Sequence, residues 1–248
     1  ISRLNGIWME LFFRLFLTKQ KDDMKDLIQI AGVIDKDEAM MLMNAGINYL
    51  GFPLRLTVHK EYLTEDEAVD VIKIIFPPHS AVLITYLNKA EEIIKLCTKL
   101  NVKIVQLHGK ISKEELERTK LLQPDLEIIK SLVVAENNYS ELERTVEALS
   151  TFVDAFITDT FDPATGAEGA TGKTHDWSIS RKLVEISSKP VIIAGGLNHT
   201  NVKKAILEIN PAGVDVHTGV ESKDGRKDYD LVKRFVKESK EGFALINS

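Results

Sequence analysis

The chain has 248 residues, 44% hydrophobic and 28% charged, with a formal net charge of −5. That length can bury a large core and suits one α/β barrel as well as two smaller domains. No apolar run approaches the roughly 20 residues that span a bilayer, and the acidic balance gives no general attraction to polyanions, so neither a membrane span nor a nucleic-acid partner is expected and any phosphate site must be local. Cys97 is the one cysteine, so no intrachain disulfide can form, which fits a reducing cytoplasm. Its neighbours Ile93, Leu96 and Leu100 mark it as the buried side of a helix.

Residues 1–23 read as an amphipathic extension. The run Ile7-Trp-Met-Glu-Leu-Phe-Phe-Arg-Leu-Phe-Leu17 is apolar but carries Glu10 and Arg14, and it lacks the basic start and small-residue cleavage site of a signal peptide. Met24 is an alternative natural start. From residue 24 to 248 a barrel domain is expected.

In that domain short apolar runs alternate with helix-length segments. Leu27–Ile34 is the first strand, and Lys36–Ala45 a helix stopped by Gly46. Tyr49–Leu54 is the second strand; Thr64-Glu-Asp-Glu67 is a capping box opening a helix to Ile75. Ser80–Thr85 and Lys103–Gly109 follow as strands three and four, with a helix over Lys89–Leu100 between them and another from Ser112. Leu126–Val134 and Ala155–Asp159 are strands five and six, followed by helices over Ser140–Leu149 and Trp177–Ile186. Pro190-Val-Ile-Ile-Ala-Gly-Gly-Leu197 and Ala212-Gly-Val-Asp-Val-His-Thr-Gly-Val220 are the last strands, separated by an amphipathic run to Ile209, and Asp228–Lys237 is the last helix. Eight such units predict a single (β/α)8 TIM barrel, an open doubly wound sheet being the alternative.

Active sites of such barrels gather where strands end. The ends present Ala31-Gly32, Phe52 to Arg55, His108-Gly109, Lys130, Asp159, Gly195-Gly196 and Asp215 to Gly219. The two glycine turns, at Gly195-Gly196 and at His217-Thr218-Gly219, let backbone N–H groups approach an anion; ordinary tight turns are the competing reading. Asp159 is costly to bury without a task, and is either a general acid or base or a loop cap. His108 is either a core histidine or a site residue. The run Gly166-Ala-Glu-Gly-Ala-Thr-Gly172 suits a mobile cover.

Taken together, Ile30-Ala-Gly32, Val105-Gln-Leu-His-Gly109, Thr158-Asp-Thr160, Gly169-Ala-Thr-Gly-Lys-Thr-His-Asp-Trp177, Ala194-Gly-Gly-Leu197 and Gly213-Val-Asp-Val-His-Thr-Gly-Val-Glu221 resemble phosphoribosylanthranilate isomerase of tryptophan biosynthesis. The resemblance covers residues 25 to 237. It implies a single barrel that converts a phosphoribosyl amine into a 1-deoxyribulose phosphate by an Amadori rearrangement without cofactor or metal. The general acid then falls on Asp159, and the phosphate turns on Gly195, Gly196, Asp215 and His217, with Thr218 and Gly219 beside them. Arg55, His108, Gly169, Thr171 and Gly172 are the expected substrate contacts. The partner is a phosphorylated small molecule, and a homodimer is the assembly left open.

The chain departs from the family where a base is needed. The family's Lys-Ile-Cys-Gly on the first strand is here Gln29-Ile-Ala-Gly32, and Ala31 cannot take a proton. The family's carboxylate-binding arginine is replaced by Glu61, leaving Arg55 or Lys60 to reach in. A serine of the last turn is His217. His217, His108 and His59 are the candidate bases, and His217 is taken as the second catalytic residue beside Asp159. The alternatives are an isomerase or lyase acting on another phosphosugar, and a noncatalytic phosphometabolite-binding barrel.

Overall fold

A computed structural model describes residues 24–56, 62–135, 137–162, 167–168 and 177–248. The expected N-terminal extension, His59, Lys60, Glu61, Gly169, Thr171 and Gly172 lie outside the described residues.

The apolar runs form β1 (Leu27–Ala31), β2 (Tyr49–Pro53), β3 (Ser80–Thr85), β4 (Ile104–Leu107), β5 (Glu127–Val134), β6 (Ala155–Asp162), the two-residue β7 (Ala167–Glu168), β8 (Val191–Ile193) and β9 (Gly213–Val216). Of these nine, β7 pairs antiparallel with β6, and the other eight are parallel. Pairing of Leu27 with Gly213 and of Ile129 with Ala155 closes the ring, so the open-sheet alternative is excluded. The expected cover after β6 therefore begins as a short β-ribbon.

Helices α1 (Lys36–Asn44), α2 (Glu65–Ile72), α3 (Ala90–Leu100), α4 (Lys113–Leu122), α5 (Tyr139–Leu149), α6 (Trp177–Ile186), α7 (Val202–Ile209) and α8 (Tyr229–Ile246) supply the crossovers. Their starts follow the sequence signals: Asp35 accepts from Glu38 N, and Thr64 and Glu67 complete the predicted capping box. The last helix runs nine residues beyond the expected Lys237, because Ser239, Gly242 and Phe243 continue its buried face; Gly242 lets it approach Ile206 of α7.

The strands separate two apolar clusters. Leu27, Val82, Ile84, Ile104, Ile129, Ile157 and Ile192 fill the barrel interior, while residues such as Ile30, Leu50, Leu83, Val105, Phe156 and Val214 pack outward against the helices. Cys97 lies in the outer cluster, and burial pushes its thiol up to about 12, as suits a packing residue. Among the described residues, no helix is long and apolar enough to cross a membrane.

Candidate active site

Inward-facing positions alternate along each strand, so the side chains that reach the mouth are set by register. On β6 the inward series Ala155, Ile157 ends in Asp159, which is 6% exposed. The Thr160 N–H donates to Asp159 Oδ1 at 2.8 Å, and His108 Nδ1 stands 3.6 Å from Asp159 Oδ2. The His108 ring is stacked on Tyr86, with centroids 5.8 Å apart, and its Nε2 is 2.8 Å from Gln106 Nε2. Asp159 and His108, each singled out at its own strand end, are thus brought together. On β5 the buried Lys130 ammonium donates to the carbonyls of Leu107 and Ser131.

On the β1–β9 side, Gln29 pairs with Asp215 in register, which carries Ala31 toward the level of His217. Gly32 has φ 83°, and a β-carbon added there would lie 2.2 Å from His217 Nε2. The imidazole therefore rests against the Gly32 backbone, one residue after Ala31. Glu221 Oε1 is 3.3 Å from His217 Nε2 and 2.7 Å from the fully buried Lys227 Nζ, which also donates to the His217 carbonyl. Burial holds Lys227 below the usual lysine range, opposed by Glu221.

The loops carrying these groups are tied together. Glu38 accepts from Ile34 N at 3.0 Å and from Lys227 N at 2.8 Å, and Arg226 pairs with Asp35 at 2.6 Å. Burial raises Glu38 in spite of those two N–H donors. Asp215, one inward step below His217, is pushed up to about 7 by burial, although a hydrogen bond from Gln29 opposes the shift. Its Oδ1 has no hydrogen-bond partner among the described residues.

The glycine turns meet as expected. Gly195 and Gly196 have φ of 93° and 65°, and Asn201 Nδ2 donates to the Gly196 carbonyl. A β-carbon at Gly219 would lie 1.9 Å from the Leu197 carbonyl oxygen, so only glycine lets the two turns approach. Thr218, exposed beside them, begins a three-residue 3-10 turn. Arg55, by contrast, is left-handed at φ 53° and is held by Glu65 at 2.7 Å, at the start of α2.

Gln29, Gln106, Glu221 and Lys227 were missed by the reading of strand ends alone. The available signal was polar residues at inward positions of apolar strands, two residues before Ala31 and two before His108.

Fold and mouth define a (β/α)8 barrel with a carboxylate and an imidazole at its strand ends and paired glycine turns beside them. Residues 28–238 match the N-(5'-phosphoribosyl)anthranilate (PRA) isomerase family, and the chain belongs to that family. It is 36% identical over 222 residues to N-(5'-phosphoribosyl)anthranilate isomerase 2 of Methanosarcina mazei, covering 89% of this chain and 97% of that one. Phosphoribosyl anthranilate isomerase of Thermotoga maritima superposes with a TM-score of 0.74 at 27% identity, over 87% of this chain and 98% of that one. A second structure, of monomers generated from the dimeric Thermotoga maritima enzyme, gives 0.70 at 25% identity over the same shares.

Proposed function

We propose that the protein isomerises N-(5'-phosphoribosyl)anthranilate with Asp159 as general acid and His217 as general base. The carrying observation is the His217 ring packed on Gly32, which places an imidazole beside Ala31 where the family resemblance calls for a thiol. Family membership and the relatives named above support the substrate.

Asp159 delivers its proton to the ring oxygen as the C1–O bond breaks and the nitrogen lone pair forms an imine. His217 then takes the proton from C2; the C–H electrons form the C1–C2 double bond and the imine pair returns to nitrogen. The resulting enol becomes the ketone by losing its O–H proton and gaining one at C1. Glu221 faces the imidazolium that this step creates, while Lys227 balances the carboxylate. The turns at Gly195-Gly196 and Thr218-Gly219 hold the phosphate through backbone N–H groups, so its binding energy orients the distant C1 and C2. The dimeric neighbour supports a homodimer as the assembly.

The test is turnover of N-(5'-phosphoribosyl)anthranilate by the purified chain. Asp159→Asn and His217→Asn, which keep shape but lose the proton chemistry, should each lower kcat by about 10²–10⁴-fold without loss of fold. Unchanged turnover in a folded His217→Asn variant would move the base elsewhere, and no turnover by the natural chain would refute the substrate.

A further inference from the structure

Gln29 and Gln106 stand 77 positions apart in sequence and meet inside the barrel, 0% and 1% exposed, on the apolar layer that includes Ile84, Ile104 and Ile129. Two primary amides in such a core give no packing that leucines would not, so their hydrogen bonds are the feature to explain. Gln29 Nε2 donates to Gln106 Oε1 at 2.7 Å. With that oxygen engaged, the amino end of Gln106 lies 2.8 Å from His108 Nε2. An amide NH₂ only donates, so His108 Nε2 must be the acceptor and carries no proton. The neutral ring then bears its proton on Nδ1, the nitrogen that faces Asp159 Oδ2 at 3.6 Å. The Gln29 orientation is favoured by Asp215 as well, since the amino end of Gln29 also holds the Asp215 carboxyl down from its raised affinity for protons, and turning the amide over would press its oxygen toward that carboxylate.

We propose that Gln29 and Gln106 are positioning residues that lock His108 as the Nδ1–H tautomer, aiming a ring donor at Asp159. The two amide hydrogen bonds donate in the same sense, from Gln29 toward His108, and hydrogen bonds so aligned in a low-dielectric interior reinforce one another, while the ring N–H faces Asp159 across 3.6 Å. Together with the Thr160 N–H on Oδ1, the ring N–H meets the carboxylate left when Asp159 gives up its proton. The consequence for rate rests on Asp159 as the general acid; the tautomer does not.

Long-range ¹H–¹⁵N correlation spectra of the full chain, labelled at its six histidines, read the tautomer directly, with His108→Gln assigning the signal. At pH 8 the natural protein should show His108 protonated on Nδ1 and bare on Nε2. Gln106→Glu places an acceptor against Nε2 and should move the proton there; Gln29→Leu frees Gln106 to turn and should lose the single tautomer. Both should lower kcat about tenfold with KM within about twofold, as expected when an acid is left poorly oriented. An Nε2–H ring in the natural protein, or a tautomer unmoved in Gln106→Glu, would overturn the proposal, as would a moved tautomer with unchanged kcat in an active enzyme. In a chain that proved inactive, the spectra alone would still separate failure of the lock from failure of the substrate assignment.

Discussion

Asp154 and Asp215 are buried to the same degree, 6% and 7% exposed, and are treated in opposite ways. Asp154 precedes β6 at the N-terminal end of the barrel, where it accepts from the Ile128 N–H at 2.7 Å and from Lys120 Nζ, which also bonds the Leu126 carbonyl. Asp215 lies on β9 toward the mouth, with Gln29 opposing its shift, an Oδ1 without a hydrogen-bond partner among the described residues, and a pKa raised to about 7. A carboxylate that serves the fold is surrounded by donors; one left short of them at the C-terminal end of a barrel strand points to function.

The contrast is broken most severely by pH. Asp215 binds its proton more tightly folded, with a pKa raised from 3.8 to about 7, so the stability it contributes is complete below about pH 4 and is lost as pH rises through about 7. Between pH 5 and pH 8 this amounts to roughly 2–3 kcal/mol. Urea unfolding of Asp215→Asn at the two pH values should show a pH difference smaller by that amount than in the natural protein. An equal slope in both would mean that Asp215 titrates as it does in the unfolded chain.

A smaller effect is expected at the other end. Asp154→Ala leaves the Ile128 N–H and Lys120 without their acceptor, but Lys120 is partly exposed and can turn to water. The loss should be about 2 kcal/mol of stability, with kcat unchanged. A fall in kcat with intact stability would place Asp154 in the machinery of the mouth and dissolve the contrast.

The alternation of strands and helices was legible because each element carries its own signal: inward and outward apolar residues, the Thr64–Glu67 box, and Gly46 after α1. Asp159 was legible for the same reason, as a charge at the end of an apolar strand. The pairing of Gln29 with Gln106, and the seat of His217 on Gly32, were not, since both depend on the register with which β1 meets its neighbours when the barrel closes. No local pattern encodes that register. The left-handed backbone of Arg55 and its pairing with Glu65 were not legible either, since that conformation is uncommon for arginine and invisible in the sequence.

The smallest expected change is at Ala31, and it separates the two accounts of the base. Ala31 pairs with Gly51, and a β-carbon at Gly51 would lie 2.7 Å from Ile84 Cδ1 and 3.0 Å from the Ala31 α-carbon, so the end of the Ile84 side chain from β3, rather than a β2 side chain, lies beside Ala31 on that side. A thiol at position 31 adds one sulfur atom there without displacing a neighbouring side chain from β2. If His217 already takes the C2 proton from the adjacent position, Ala31→Cys supplies a second acceptor for a step that has one, and kcat should change by no more than about twofold. In a His217→Asn background the same thiol becomes the only acceptor of the pair, and should restore at least about tenfold of the lost rate. This non-additivity is the measurement: a large gain from Ala31→Cys in the otherwise natural chain would show that the site lacks a base, and no rescue in the His217→Asn background would show that the two positions do not serve the same proton.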